Sequence, residues 1–292
     1  LVVVPAGKPP AALVPNLELG SWQSTGFEGA LFDWRDQTGY DDAFAGLLKH
    51  LNIASLAVEG QVMRVFVHHA LKSAQPDLRI IDGEREISAL RMIKTPQDVA
   101  ALRKAVEISE RALHRTLATI KLGQSEKQIE QTLVRMMFEE GADNLSFTPI
   151  VAAGENSAQP HAHARHDHMV SDEGHDVYDT VLRANLAGLD VTRAGVTAHE
   201  IDDVVTGVLE ASPYADRIRT KTGHGLGREV HEAPYIMRGN QMTLPAGTVY
   251  TNEPGLYELG NFGVRIEDDV LVTEDGYETL TRFPKELMVI PC

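Results

Sequence analysis

Thr222-Gly223-His224-Gly225-Leu226-Gly227, followed by Val230-His231-Glu232-Ala233-Pro234, is the passage from which the fold and chemistry of this chain read outward. Glycines on either side of His224 let the backbone approach a neighbour closely, and His231 repeats the theme of a histidine at a constrained position. Taken singly, each passage is also the pattern of an ordinary turn. Two more passages follow. Val249-Tyr250-Thr251-Asn252-Glu253-Pro254-Gly255 reads as a strand whose end carries a carboxylate before a Pro-Gly break. Gly263-Val264-Arg265-Ile266-Glu267-Asp268-Asp269-Val270 alternates, so that Arg265, Glu267 and Asp269 share one face and Val264 and Ile266 the other. A solvated edge or a half-exposed strand gives the same two patterns. Together, however, His224, Glu253 and Glu267, spaced by 29 and then 14 residues, offer one imidazole and two oxygen donors. That mixture suits Mn²⁺, Co²⁺, Zn²⁺ or Fe²⁺.

Upstream of this passage the chain repeats itself. Thr95-Pro96-Gln97-Asp98 is a helix start: the Thr hydroxyl meets free N–H groups, Pro tolerates the first position, and Asp sits at the positive end of the dipole. Val99, Leu102, Val106, Leu113, Leu117 and Ile120 then predict an apolar face that runs until Gly123. Ser125 and Gln128 predict a capping box for a second helix carrying Ile129, Leu133 and Met137. The phrase recurs 72 residues later, with Gly195 for Gly123, Thr197 for Ser125, Glu200 for Gln128, and the stripe Ile201, Val205, Leu209. About 80 residues of strand-like sequence follow the second copy, but only the 29 from Ala142 to Val170 follow the first before the next cap at Ser171. The first half is short of strands.

In front of the repeat, residues 1–15 read as strand, turn and strand around Gly7-Lys8-Pro9-Pro10, and apolar runs at 41–58 and 62–72 predict alternating helix and strand to about residue 83. The sequence opens without Met, so its natural start is expected ahead of Leu1. The 292 residues, 43% hydrophobic and 24% charged, favour two globular domains and exclude disorder. With 42 acidic against 27 basic residues the net charge of −15 repels a phosphate backbone, so nucleic acid is not expected as a partner. No apolar run reaches the roughly 18 residues of a membrane span. The single cysteine, Cys292, can form no internal disulfide, and a reducing compartment, the cytoplasm, is the expectation.

Gly-His-Gly-Leu-Gly at 223–227, Val-His-Glu-Ala-Pro at 230–234, Asn-Glu-Pro-Gly at 252–255 and Val-Arg-Ile-Glu-Asp at 264–268, in this order and spacing, closely resemble the pita-bread metallopeptidases. These include Xaa-Pro aminopeptidase, Xaa-Pro dipeptidase (prolidase), methionine aminopeptidase and the non-peptidase creatinase. The likeness extends to Arg91-Met92-Ile93-Lys94-Thr95-Pro96-Gln97 and to Pro160-His161-Ala162-His163, covering nearly all of 91–292. It implies an α/β (α+β) chain with a small N-terminal creatinase-like domain over 1–88 and a pseudo-twofold pita-bread catalytic domain over 89–292. A domain in front of this kind resembles the creatinase, aminopeptidase P and prolidase branch.

The resemblance also implies roles. His224, Glu253 and Glu267 look like three of the five protein ligands of a centre of two divalent metal ions, Mn²⁺ first and Co²⁺ or Zn²⁺ as the other choices, with Glu267 bridging them. His161 and His231 look like the histidines that contact substrate and move protons, Arg265 like the group that orients the bridging carboxylate, and Glu253 could take a proton during attack. The implied activity is cleavage between an N-terminal residue and a following proline in dipeptides or short peptides, by a homodimer.

One departure is large. Family members carry two more Asp ligands on a hairpin, and here the chain runs from His161, His163, His166 and His168 straight to Ser171-Asp172-Glu173. Roughly thirty residues near 170/171 are expected to be missing, because deletion of central strands would expose a core and leave edges unpaired. Val170 and Ser171 are then not neighbours in the complete protein. The histidines at 161, 163, 166, 168 and 175 read as a polar loop rather than as a substitute metal site. The alternatives are a non-catalytic pita-bread module that binds a peptide or protein after losing both Asp ligands, and a creatinase-like hydrolase without metal.

Overall fold

Three helix starts are fixed by the same reciprocal pair of hydrogen bonds. Asp98 N–H donates to Thr95 Oγ1 at 3.2 Å while Thr95 N–H donates to Asp98 Oδ2 at 3.0 Å. Gln128 N–H and Ser125 N–H do the same with each other's side chains at 3.3 and 2.9 Å, and Glu200 and Thr197 at 3.1 and 2.8 Å. Each box satisfies two N–H groups that a helix cannot serve internally. Gly123 and Gly195, two residues ahead of the later boxes, both hold positive φ, +92° and +90°. The repeat seen in the sequence is therefore also a repeat of backbone conformation.

The computed structural model describes residues 1–121, 123–167 and 175–290. The chain divides into two compact units, Leu1–Ile87 and Ser88–Cys292. The first unit holds β1 (Val2–Val3), β2 (Ala11–Pro15), α1 (Leu19–Gln23), β3 (Ala30–Trp34), α2 (Asp41–Leu51), β4 (Ser55–Val58), α3 (Val65–Ala74) and β5 (Arg79–Asp82). β1 and β2 form the expected antiparallel hairpin, β3 adds parallel to β2, and β4 pairs parallel with β5. Its core gathers Leu13, Phe44, Leu47, Leu51, Leu71 and Leu78. A further helix, α4 (Glu84–Met92), follows.

The second unit holds α5 (Pro96–Leu117), α6 (Glu126–Glu139), the short α7 (Gly154–Ser157), α8 (His175–Val191) and α9 (Ala198–Glu210). Seven strands follow: β6 (Gly223–Gly225), β7 (Glu232–Ile236), β8 (Val249–Asn252), β9 (Gly255–Glu258), β10 (Phe262–Arg265), β11 (Asp268–Val272) and β12 (Tyr277–Thr279). Five of them form an antiparallel sheet in the order β12-β11-β8-β6-β7, and β9 and β10 make a separate hairpin. Val181, Ile201, Val205, Leu209, Ile236, Tyr250, Leu256 and Val270 pack into one apolar core between α8, α9 and these strands. Asn185 on α8 and Asn252 on β8, both fully buried, each donate a side-chain N–H to the other's carbonyl at 3.1 and 2.8 Å.

Two expectations need correction. α5 ends at Leu117, so Ile120 lies beyond it, and Val99, Leu102, Val106 and Leu113 are half-buried while Ile108, Ala112 and Thr116 form the buried row. The stretch 263–270 is not one strand. It breaks after Arg265, so that β10 pairs with β9 and β11 with β8, and Glu267 falls in the junction. Among the described residues no strand lies between α5 and α8. The expected break between Val170 and Ser171 falls on 168–174, outside the described residues. α5 is moored to the far edge of the sheet by a bidentate pair between Arg103 and Glu278 on β12, whose Nη2 to Oε2 distance is 2.7 Å. Just beyond β12, Glu110 on α5 accepts the N–H groups of Arg282 and of Phe283, the latter at 2.8 Å.

Candidate active site

His224 stands where backbones crowd. A Cβ on Gly223 would run into the Thr251 carbonyl, and one on Gly225 into the carbonyl of Ala233, so both flanking positions require glycine. β6 is irregular between His224 and Gly225, which re-aims the imidazole. His224 N–H donates to Thr251 Oγ1 at 3.0 Å, its Nδ1 lies 2.9 Å from the Gly225 carbonyl, and its Nε2 is 3.1 Å from Glu253 Oε1. Glu253 N–H donates to the Thr222 carbonyl at 2.7 Å, which sets that carboxylate beside the Gly-rich strand, and Thr251 Oγ1 donates to its Oε1 at 3.1 Å.

Arg265, at the end of β10, joins the carboxylates. Its Nε lies 3.7 Å from Glu253 Oε2 and 3.5 Å from Glu267 Oε2. Its Nη1 donates to the Pro160 carbonyl at 3.3 Å, and Gly263 N–H donates to Ser157 Oγ at 2.9 Å, so the loop bearing His161 is fastened beside this arginine. The ring of His231 lies 4.2 Å from that of His224. All six residues singled out in the sequence thus belong to one neighbourhood, although neither of two surface cavities in this unit is lined by them.

The charges are unevenly held. Burial alone would push His224 down, but its bonds to Glu253 and to the Gly225 carbonyl outweigh it and raise the imidazole. Burial would raise Glu253, yet His224, Arg265 and Thr251 hold it below the usual range. Glu267 goes the other way: loss of surrounding water, then the charge of Glu253, push its carboxyl up to about 7. Its side chain still keeps 40% of its surface open. Burial followed by the neighbouring Asp268 pushes Asp269 up to about 6. His231 is lowered by burial and then by the cationic His224 and Lys221.

These residues fit part of a metal centre. Nδ1 of His224 faces the Gly225 carbonyl and its Nε2 a carboxylate oxygen, two acceptors that favour the protonated ring; a divalent cation taking the place of the Nε2 proton would meet the ring's lone pair and the Glu253 oxygen together. The two carboxylates and the imidazole are the right donors for one divalent transition ion. As placed, no group of three His, Cys, Asp or Glu side chains among the described residues is drawn tight enough to hold one. A complete set for two ions is not assembled from these residues.

Two supports escaped the sequence reading. Lys94, from the helix entry, forms a buried ion pair with Glu232, next to His231; the side chains are 3% and 6% exposed. Lys94 Nζ also donates to the Arg91 carbonyl at 2.8 Å. A Cβ on Gly227 would meet Glu232 Oε1 at 2.8 Å and Lys94 Cε at 2.9 Å, which gives the third glycine of the loop its reason. Thr251 is the second support. It lies two residues before Glu253, which follows directly on the end of β8, a spacing of two that was available in the sequence.

Comparison with known proteins gives the wider setting. The sequence pattern of Metallopeptidase family M24 matches residues 100–174 and 168–274, and that of the Creatinase/Prolidase N-terminal domain matches 1–93. The probable dipeptidase PepE of Mycobacterium bovis is 30% identical over 324 aligned positions, covering 99% of this chain and 85% of that protein. Among solved structures, a recombinant prolidase from Thermococcus sibiricus is similar with a TM-score of 0.90 and 30% identity, over 98% of this chain and 86% of that one. An X-Pro aminopeptidase from Thermotoga maritima gives 0.85 and 29%, over 97% and 86%. The alignment of 324 positions exceeds the 292 residues of this chain, so at least 32 positions of it have no counterpart here. The two matched pieces of the metallopeptidase pattern meet over 168–174, where the first half runs short.

Proposed function

The chain belongs to metallopeptidase family M24, and from that premise we propose that it hydrolyses the bond between an N-terminal residue and a following proline in dipeptides or short peptides. The observation that carries this reading is the meeting of His224, Glu253, Glu267 and Arg265 beside His231 and the His161 loop. Likeness to a prolidase and to an X-Pro aminopeptidase at near-complete coverage supports the substrate class.

His224, Glu253 and Glu267 would hold divalent metal, Mn²⁺ being the first ion to test and Co²⁺ or Zn²⁺ the next. Bound ions of this kind acidify a water to hydroxide at neutral pH and polarise the scissile carbonyl. Arg265 keeps the two carboxylates facing one another and offsets part of their repulsion. Glu253, ionised and hydrogen-bonded by Thr251, can receive a proton as water attacks. His231, its imidazole lowered by burial, can take up a proton and pass it toward the departing nitrogen, and His161, on the loop fastened to Arg265, stands to contact the peptide. A proline nitrogen carries no N–H, so recognition here cannot use that donor.

The test compares Xaa-Pro dipeptides, longer Xaa-Pro peptides and non-proline controls with Mn²⁺, Co²⁺ or Zn²⁺. Expected is metal-dependent cleavage confined to Xaa-Pro bonds, lost with chelator and with Glu267→Ala. His231→Ala lowers turnover by roughly 10²–10⁴-fold while metal stays bound. Cleavage of dipeptides alone identifies a dipeptidase, and cleavage of longer peptides an aminopeptidase. A metal-loaded protein that cleaves none of them refutes the proposal.

A further inference from the structure

Buried carboxylates are costly unless several donors surround them. Glu126, the first residue of α6 and only 2% exposed, is such a case. Its Oε1 accepts the Ala153 N–H at 2.7 Å, and its Oε2 accepts both Asn156 Nδ2 and the Arg165 N–H at 2.8 Å. Asn156 Nδ2 also donates to the His163 carbonyl at 3.0 Å, and Lys127 N–H to the Arg165 carbonyl at 3.0 Å. One carboxylate at the positive end of a helix therefore clasps both ends of the 153–165 loop, and His161 rides on the loop so enclosed. The other fastening is the pair of contacts from β10, through Gly263 and Arg265.

The second half carries a counterpart. Asp202, one helical turn further along α9 and also buried, accepts the Thr222 N–H at 3.1 Å and the Thr206 hydroxyl at 3.2 Å, two residues ahead of His224. In each half a carboxylate in the first two turns of the capped helix ties down the segment that bears a site histidine.

We propose that Glu126 is the positioning residue for His161: the clasp it forms on Ala153, Asn156 and Arg165 determines where that imidazole stands. The consequence for turnover rests on the reading of His161 as a group that contacts substrate, given above.

The experiment uses the full chain with Glu126→Ala, Glu126→Gln, His161→Ala and the double variant Glu126→Ala/His161→Ala. For Glu126→Ala, kcat is expected to fall by about 10²-fold with KM changed much less, the scale of a misplaced catalytic group. Glu126→Gln, which retains one acceptor oxygen, recovers part of the loss. In the His161→Ala background, removing Glu126 costs nothing further, an outcome that general destabilisation would not produce. Hydrogen exchange at the 153 and 165 amides accelerates about tenfold while 223–236 is unchanged, and carbethoxylation of His161 by diethyl pyrocarbonate, located by peptide mass, changes in rate. Additive losses in the double variant overturn the proposal, as does exchange at 153 and 165 equal to the wild type. Should Glu126→Ala not fold, Glu126→Gln is read in the same ways. If the wild type hydrolyses no Xaa-Pro bond, the proposed function fails separately, and exchange with His161 labelling decides the clasp.

Discussion

The two halves of the second unit begin alike and end differently. Both open with a positive-φ glycine, a reciprocal cap and an amphipathic helix. In the later half Ile201, Val205 and Leu209 are buried against Ile236, Tyr250 and Val270 on the sheet. In the earlier half Ile129, Leu133 and Met137 are only half-buried, and the deepest positions of α6 include the carboxylates Glu126 and Glu130. Charge takes over where apolar packing is thin: Arg111 and Arg115 on α5 grip Glu139 and Glu140 at 2.5–2.7 Å, and Arg135 reaches Glu139. The comparison teaches that a capped amphipathic helix is a local property, while its burial depends on strands that arrive later in the chain.

The largest effect is expected where a residue entering the earlier half reaches the interior of the later one. Lys94→Met leaves Glu232 buried and unpaired, and chemical denaturation should show a loss of about 3–5 kcal/mol. Next, Ile201→Ala should cost about 2–5 kcal/mol as a core deletion, whereas Leu133→Ala, with little cavity to leave, should cost roughly half of that or less. Equal costs at the two sites would break the contrast between the halves. A third test is pH. Glu267 titrates near 7 in the folded chain against an ordinary 4.5, so the unfolded state ionises first and stability falls as pH rises from about 4.5 to about 7. In chelator-treated protein, Tm should drop over that interval by more in the wild type than in Glu267→Gln. Smallest of all, Arg115→Ala on the exposed face should change stability by about 0–1 kcal/mol, and less in high salt.

The caps and the repeat were legible in the sequence because they depend on neighbours three or four residues apart: Thr95 with Asp98, Ser125 with Gln128, Thr197 with Glu200. The grouping of His224, Glu253 and Glu267 was legible for a different reason, the resemblance of four motifs in fixed order. What stayed hidden has long-range causes. The alternation over 263–270 gave no sign that β10 and β11 join different partners, since strand period says nothing about which edge is paired. Lys94 finds Glu232 across 138 positions, and Glu126 finds Arg165 across 39, neither of which leaves a local pattern.

The mooring of α5 beside β12 has a bearing on how copies of this chain behave in a crowded solution. A terminal strand offers unsatisfied ladder groups to any extended segment that passes, and such edges seed edge-to-edge aggregation. Here Arg103 ties α5 to Glu278 on that strand, and just beyond it Glu110 takes the amide hydrogens at 282 and 283, which a foreign segment would otherwise recruit. A helix of the strand-poor half is thereby tied to the last strand of the sheet, so the two halves share a fastening even where they do not share a core.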